Sequence, residues 1–258
     1  MNTERAIIVA AGQGIRLRPH TADRPKCMVT VGGRPMLDHA LEALTRAGVS
    51  DTVLIRGYLG DQLNDPRYRT VENPDFATTN VLASLFCAEE DMEDGFIFSY
   101  ADIVFGAPVA QALQDAEGDI VLVVDRDWQT IYDGREIRPE TGAELTAQDG
   151  DRVLKIGVGT VPLNEAAGEF IGLAKFSPRG AALLQAAFHA TAARFAETPD
   201  AIYAATRTFR KAYLTDLLQE MIDSGIDMRA VMIEGGWCEV DTNQDLARAE
   251  RLFGTVAV

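Results

Sequence analysis

A glycine-rich loop with several cations lies between positions 10 and 26, where the sequence reads AAGQGIRLRPHTADRPK. Gly12 and Gly14 have no side chain, so backbone N–H groups there can come close to a phosphate oxygen. Arg16, Arg18 and Lys26 add positive charge to the loop, although the whole chain carries a formal charge of −15. The loop is therefore predicted to bind a polyanion, and a triphosphate suits it because each phosphate group can meet one cation.

Two aspartates follow apolar strands and could hold a divalent cation beside that triphosphate. Asp102 comes directly after FIFSYA, and Asp241 ends the short segment GGWCEVD. Carboxylate oxygens are hard ligands that suit Mg²⁺. Strand alternation is expected to turn Glu239 to the opposite face, which makes it the weaker candidate. Either aspartate could instead cap a turn or a helix, and DTNQDL is a capping context for Asp241.

The elements that must position these residues alternate along the first half of the chain. Apolar runs such as RAIIVA and GDIVLVVD predict buried strands, and PMLDHALEALTRAG has the spacing of an amphipathic helix. A helix capped at Thr78 or Thr79 is predicted for TTNVLASLFCAEE. This alternation predicts an α/β fold, with a Rossmann-like, doubly wound, mostly parallel sheet. In such folds, ligands bind beyond the carboxyl ends of the strands, where the glycine loop begins.

The pattern becomes polar and rich in turns in the middle of the chain. Short antiparallel strands are predicted around 144–146 and 153–156. We expect one domain over residues 1–258, with 126–168 as a small inserted lid above an acceptor site. Helices return after the lid, and the last one is predicted to open at Asn243.

Composition excludes several classes of function. The acidic net charge argues against a nucleic-acid partner, which would need an excess of Lys and Arg. No apolar run approaches the length of a membrane helix, and MNTERAIIVAAG reads as a strand rather than a signal peptide. Cys27, Cys87 and Cys238 lack zinc-ligand spacing and are expected to be reduced thiols. We therefore expect a cytoplasmic protein with no membrane partner, and leave a homodimer open.

The N-terminal sequence AIIVAAGQGIRLRPHTADRPKCMVTVGGRPMLDHALEAL resembles that of nucleotidyltransferases, which join a nucleoside triphosphate to a phosphorylated small molecule. That family has G-x-G-[ST]-R-[LM]-x-P, then P-K and G-[KR]-P. This chain departs from the pattern at Ile15, where Thr or Ser is usual, so Gln13 or backbone amides are expected to compensate. The resemblance implies that the nucleotide is bound by Ala11, Gly12 and Gly14.

The same resemblance implies how the reaction proceeds. Arg16 and Lys26 would be the catalytic cations, which hold the triphosphate and stabilise charge developing on the α-phosphorus. Mg²⁺ would be the cofactor, and Asp102 and Asp241 match the family's positions for its ligands. An acceptor oxygen attacks in line and pyrophosphate leaves, so catalysis needs positioning and electrostatic stabilisation rather than a covalent step. A nicotinamide-dependent oxidoreductase is disfavoured because the loop lacks the third glycine of that fingerprint.

The segment ENPDFATTNVLASL is similar to that of choline-phosphate cytidylyltransferases, in which N-P is followed by T-N and S-L pairs. The Asn and Ser of that branch lie near cytosine, so Asn80 and Ser84 are implied to bind the base of CTP. An amide both donates and accepts, as reading cytosine requires. Thr79 and Asn80 could also cap the following helix, and both roles can hold at once.

The middle of the chain resembles cytidylyltransferases that act on phosphocholine, aminoethylphosphonate and related amine-bearing phosphates. Carboxylates and aromatic faces bind such cations, and the expected acceptor-binding residues are Trp128, Tyr132, Asp125, Glu169 and Trp237. The aromatic residues could instead pack the lid onto the core. We predict a Mg²⁺-dependent cytidylyltransferase that uses CTP and a small phosphorylated or phosphonylated amine. Phosphocholine, phosphoethanolamine, aminoethylphosphonate and a phosphorylated amino acid all stay open as the acceptor. The alternatives are a sugar-1-phosphate nucleotidyltransferase using UTP, dTTP or CTP, and a catalytically silent nucleotide-binding regulatory domain.

Overall fold

The structure, a computed structural model, describes residues 3–135 and 142–254. Strands and helices alternate over the first half of the chain, as the apolar runs predict. The strands are β1 (Arg5–Ala10), β2 (Thr30–Val31), β3 (Arg34–Pro35), β4 (Asp51–Arg56), β5 (Arg69–Glu72), β6 (Phe96–Tyr100), β7 (Ile103–Phe105), β8 (Ile120–Asp125), β9 (Glu144–Asp149), β10 (Arg152–Val158), β11 (Gly168–Phe176), β12 (Ile202–Ala204), β13 (Arg207–Thr208), β14 (Arg229–Ile233) and β15 (Trp237–Glu239). The helices are α1 (Met36–Arg46), α2 (Val81–Leu85), α3 (Ala107–Asp115), α4 (Pro178–Phe195), α5 (Leu214–Asp223) and α6 (Asn243–Phe253).

The main sheet is mixed, with nine strands in the order β5-β4-β1-β6-β11-β8-β14-β10-β9. Strands β5, β4, β1 and β6, at one side of the sheet, pair in parallel. Strand β11 runs antiparallel to both of its neighbours, β6 and β8. The prediction of a mostly parallel sheet is therefore wrong for the second half. Every residue of β11 is buried, and a continuous apolar run indicates burial on both faces without indicating the direction of the strand.

The two strands predicted in the middle of the chain are confirmed as the antiparallel pair β9 and β10. This hairpin continues the main sheet, because β10 pairs with β14 and β9 pairs with β11. The segment predicted as a lid is thus partly built into the sheet. Residues 136–141 of that segment lie outside the described residues.

Helices cover both faces of the sheet and create two apolar layers. Along β1, Ala6 and Ile8 pack into the layer that contains α1 and α3. Ile7, between them, packs into the layer that contains α2, α4 and α5. This alternation follows from the two-residue period of a strand. Helices therefore pack on both faces of the sheet, which fixes the positions of the loops that follow its parallel strands at the carboxyl edge.

Two helix starts near that edge are defined by side-chain caps. Helix α2 begins after Asn80, whose side chain accepts from the Val81 N–H at 2.9 Å, so the predicted cap at Thr78 or Thr79 is one or two positions early. Helix α6 begins at Asn243, as predicted, with Thr242 as its N-cap in a capping box. No helix in the described ranges combines the length and the apolar character needed to cross a bilayer.

Candidate active site

A cleft of about 530 Å³ opens at the carboxyl edge of the sheet, above β1 and β6. Strand β1 has β4 on one side and β6 on the other, and both neighbours are parallel to it. Such a reversal of strand order leaves a crevice where the loops diverge. The cleft is lined by residues predicted to bind a nucleotide or a metal: Ala11, Gly12, Gly14, Arg16, Lys26, Asn80, Ser84, Asp102 and Asp241.

The glycine loop is shaped by Gly14, which has the left-handed φ of +58°. A Cβ at this position would lie 3.0 Å from the Cβ of Lys26 and 3.1 Å from a methyl group of Thr21. The Thr21 hydroxyl also donates to the Gly14 carbonyl at 2.8 Å. Gly14 therefore lets Lys26 approach the loop closely. Ile15, the residue that departs from the family pattern, lines the cleft and is 60% exposed.

Three carboxylates meet on one wall of the cleft. Oxygen atoms of Asp102, Glu239 and Asp241 all lie within 4.8 Å of one another. Strand β15 brings them together because it pairs with β7, so that Glu239 lies opposite Ile103. The prediction that Glu239 faces away is wrong, since residues two positions apart in a strand share a face. We call these three residues the carboxylate cluster, and its donor set fits a hard divalent cation.

Two cations contact the carboxylate cluster from the glycine loop. The Lys26 ammonium donates to Asp102 at 2.7 Å and also to Asp241. Arg16 donates to the other oxygen of Asp241. Burial alone would lower the pKa of Lys26, but Asp102, Asp241 and Glu239 together hold that pKa above its ordinary value. Lys26 is therefore protonated at neutral pH, and its positive charge is fixed between the loop and the acids.

The far end of the cleft is built on the N-terminus of α2. Besides capping that helix, Asn80 donates through its amide nitrogen to the Lys211 carbonyl at 3.2 Å. The Ser84 hydroxyl donates to the Asn80 carbonyl at 3.0 Å and accepts from Asn73 at 2.9 Å. Both side chains that were predicted to bind the base thus line the cleft and also hold this wall together.

Four further polar residues line the cleft that the sequence did not single out: Tyr100, Glu144, Lys211 and Tyr213. Glu144 is 6% exposed and accepts from the Tyr100 hydroxyl at 3.0 Å and from the Thr215 hydroxyl at 2.5 Å. Tyr100 could have been noticed, because it ends a predicted strand two residues before Asp102. The other three reach the cleft only through contacts between distant segments, which local spacing does not reveal.

The residues predicted to bind an acceptor are not among those that line the cleft. Asp125 accepts from the indole N–H of Trp237 at 2.7 Å and from two backbone N–H groups. The Tyr132 hydroxyl donates to Glu169 at 2.6 Å, and its ring packs edge-to-face with Trp128. All five side chains are buried. These contacts match the alternative weighed for the aromatic residues, in which they pack the middle segment onto the core.

The cysteines provide no nucleophile for the cleft. Cys27, Cys87 and Cys238 are all free thiols, and only Cys27 belongs to the cleft lining. Burial raises the pKa of Cys27 and of Cys238 to about 12, so both remain protonated at neutral pH. The charged groups of the cleft are instead suited to holding a phosphate chain and a divalent cation.

Comparison with known proteins adds independent findings. Residues 6–162 match the profile of the MobA-like NTP transferase domain. A CTP:phosphoglutamine cytidylyltransferase of Campylobacter jejuni is 33% identical in an alignment of 253 residues, which covers 93% of this chain and 97% of that protein. A 2-aminoethylphosphonate cytidylyltransferase of Lancefieldella rimae is 30% identical in an alignment of 161 residues, which covers 60% of this chain and 61% of that protein. The solved CTP:phosphocholine cytidylyltransferase of Streptococcus pneumoniae shares the fold, with a TM-score of 0.73 and 23% identity over 97% of this chain and 99% of that one.

Proposed function

The chain belongs to the MobA-like NTP transferase family, and on that basis we propose that it is a cytidylyltransferase. It transfers CMP from CTP to a small amine-bearing phosphate or phosphonate and releases pyrophosphate. The observation that carries this proposal is the meeting of the cationic glycine loop with the carboxylate cluster in one cleft. The named relatives act with CTP on phosphoglutamine and on 2-aminoethylphosphonate, which supports the choice of nucleotide and of acceptor class.

The glycine loop holds the triphosphate of CTP. Backbone N–H groups around Gly12 and Gly14 approach the phosphate oxygens, and Arg16 and Lys26 neutralise their charge. Lys26 is well placed for this role because its ammonium lies between the loop and the acids rather than in open solvent. Asn80 and Ser84, at the other end of the cleft, lie near the cytosine.

The cofactor we propose is Mg²⁺, held by Asp102, Glu239 and Asp241. Hard carboxylate oxygens from three positions match the ligands that this ion prefers. When bound, it neutralises charge on the phosphate oxygens of CTP. The side chains of Arg16 and Lys26 act on the same phosphates, so the loop and the carboxylate cluster serve one reaction centre.

The reaction is an in-line displacement at the α-phosphorus. An oxygen of the acceptor phosphate or phosphonate forms the new P–O bond, while the bond to pyrophosphate breaks and its electron pair leaves with the pyrophosphate oxygen. The attacking oxygen is already ionised at neutral pH, because the second pKa of a phosphate monoester is about 6. No general base is required, and Lys26 and Arg16 stabilise the charge that develops.

The acceptor amine binds at the part of the cleft formed by Glu144, Tyr100 and Tyr213. A carboxylate and two phenol rings are groups that attract an ammonium ion. We prefer this assignment to the residues suggested by the sequence, which are engaged in core contacts away from the cleft lining. Lys211 lines the same cleft and offers a partner for an acceptor carboxylate, so a phosphorylated amino acid is the first acceptor to test.

The test is pyrophosphate release in the presence of Mg²⁺, with CTP, UTP, dTTP and ATP crossed against a panel of acceptors. The panel contains phosphoglutamine, 2-aminoethylphosphonate, phosphocholine, phosphoethanolamine and glucose 1-phosphate. Release with CTP and an amine-bearing acceptor supports the proposal, whereas release with UTP or dTTP and the sugar phosphate would replace it. Asp102→Asn, which keeps the size of the side chain, is the matched variant and should remove the activity. Silence throughout, together with CTP binding in calorimetry, would favour a regulatory domain.

A further inference from the structure

A buried arginine contacts the carboxylate cluster from behind. Arg135 has only 1% of its side chain exposed, and its guanidinium donates to Glu239 at 2.9 Å and to Asp245 at 2.6 Å. The guanidinium also stacks over the ring of Tyr132, 4.5 Å from its centre. Arg135 is therefore held on three sides, and it touches one of the three acids directly.

Asp245 extends this contact to a second member of the cluster. One of its oxygens pairs with Arg135, and the other accepts from the backbone N–H of Asp241 at 3.1 Å. The same oxygen accepts from the N–H and the hydroxyl of Thr242, at 2.8 Å and 2.9 Å. Asp245 is fully buried, so the backbone that carries Asp241 is fixed to the carboxylate that pairs with Arg135.

Charge explains why such a support is needed. Three carboxylates whose oxygens lie within 4.8 Å repel one another unless each has a countercharge. Lys26 and Arg16 contact the two aspartates. Arg135 contacts Glu239, the remaining member, and does so from a buried position where electrostatic interactions are strong.

We infer that Arg135 is a positioning residue that orients Glu239 and, through Asp245, Asp241 toward a divalent cation. The inference rests on the proposed function, because it concerns the metal site of that reaction. Groups that orient metal ligands from behind contribute about 10- to 100-fold to metal affinity. A purely structural ion pair would instead affect the stability of the fold and leave the affinity of the folded protein for metal unchanged.

The experiment compares Arg135→Lys with Arg5→Lys in a titration with Mn²⁺, in which electron paramagnetic resonance reports the unbound ion. Arg5 is a matched control because it is partly buried, and it donates to Asp51 at 2.7 Å and to the Asp91 carbonyl at 2.9 Å. It begins β1 and so lies at the end of the strand opposite the cleft. We expect Arg135→Lys to raise the Kd for Mn²⁺ about tenfold, and Arg5→Lys to leave it unchanged.

A double-mutant cycle with Glu239→Gln tests the path of the effect. If Arg135 acts largely through Glu239, adding Arg135→Lys to Glu239→Gln should change the Kd by clearly less than tenfold. An unchanged Kd in folded Arg135→Lys would overturn the inference, as would full additivity in the cycle. If Arg135→Lys does not fold, Asp245→Asn takes its place and must also raise the Kd. Failure of the wild-type protein to bind Mn²⁺ would instead contradict the proposed metal site.

Discussion

Replacing Gly14 by alanine should slow the reaction much more than it destabilises the protein. Alanine in the left-handed region costs about 1–2 kcal/mol, and the φ of Gly14 is +58°. The new methyl group would also lie 3.0 Å from Lys26 Cβ and 3.1 Å from its Cγ, which is closer than ordinary contact. Lys26 or the loop must therefore shift by a few tenths of an ångström, which moves the ammonium relative to the proposed triphosphate site.

Gly150→Ala is the matched control for this change. Gly150 has a similar φ of +61°, but a Cβ there would meet nothing within 4 Å. It lies in the turn between β9 and β10, at the opposite end of that hairpin from the cleft residues Glu144 and Val158. Both variants therefore carry the same backbone strain, and only Gly14→Ala adds the contact with Lys26.

Thermal unfolding and pyrophosphate release at saturating CTP, acceptor and Mg²⁺ give the two measurements. Each variant should lower Tm by about 2–8 °C, since 1 kcal/mol corresponds to about 2–4 °C in a chain of this size. A displacement of 1 Å can cost about 100-fold in rate, so the smaller shift in Gly14→Ala should lower kcat about tenfold. Gly150→Ala should keep the wild-type kcat. Equal kcat values for the two variants would refute the argument that Gly14 serves to admit Lys26.

Three other predictions concern single side chains. Lys26→Ala should lower kcat for pyrophosphate release by about 100- to 1,000-fold, the usual loss when one fixed electrostatic donor is removed; a near-normal kcat would move the catalytic cation elsewhere. Asn80→Asp keeps an oxygen that can cap α2 but loses the amide that donates to the Lys211 carbonyl. Tm should therefore fall by about 2–4 °C, the equivalent of about 1 kcal/mol, while the ratio of kcat/KM for CTP over UTP falls; an unchanged ratio would place base recognition elsewhere. Iodoacetamide at pH 8 should alkylate Cys87, which is half-buried, before Cys27 and Cys238, which are buried with pKa values of about 12. Peptide mass spectrometry would show the order, and early labelling of Cys27 would contradict its burial.

Local spacing was sufficient to predict the residues that form one end of the cleft. The glycine loop follows the first strand directly, and Asp102 follows another strand of the same parallel group. Because parallel strands end at the same edge of a sheet, their following loops had to meet there. Asp241 was predictable for a related reason, since it lies between a short strand and a helix cap.

Other parts of the site depend on contacts between distant segments. The apolar sequence of β11 does not indicate that this strand runs antiparallel to its neighbours. Lys211 and Tyr213 reach the cleft because the short segment before α5 hydrogen-bonds to the start of α2. The aromatic side chains of the middle segment were consistent with either a binding wall or a packed core. A binding wall and a packed core have the same aromatic composition. Only the hydrogen-bond and ring partners of these side chains distinguish the two arrangements.

The pairing of β7 with β15 has a consequence for the order in which the site can form during synthesis. The family profile ends at residue 162, yet two of the three clustered acids come from 239 and 241. A nascent chain that has produced the glycine loop and Asp102 therefore still lacks two of the three carboxylates proposed to hold the metal. Contacts between such remote positions form late, because a long loop must close first. The growing chain would complete the proposed cation site only when β15 and α6 have emerged.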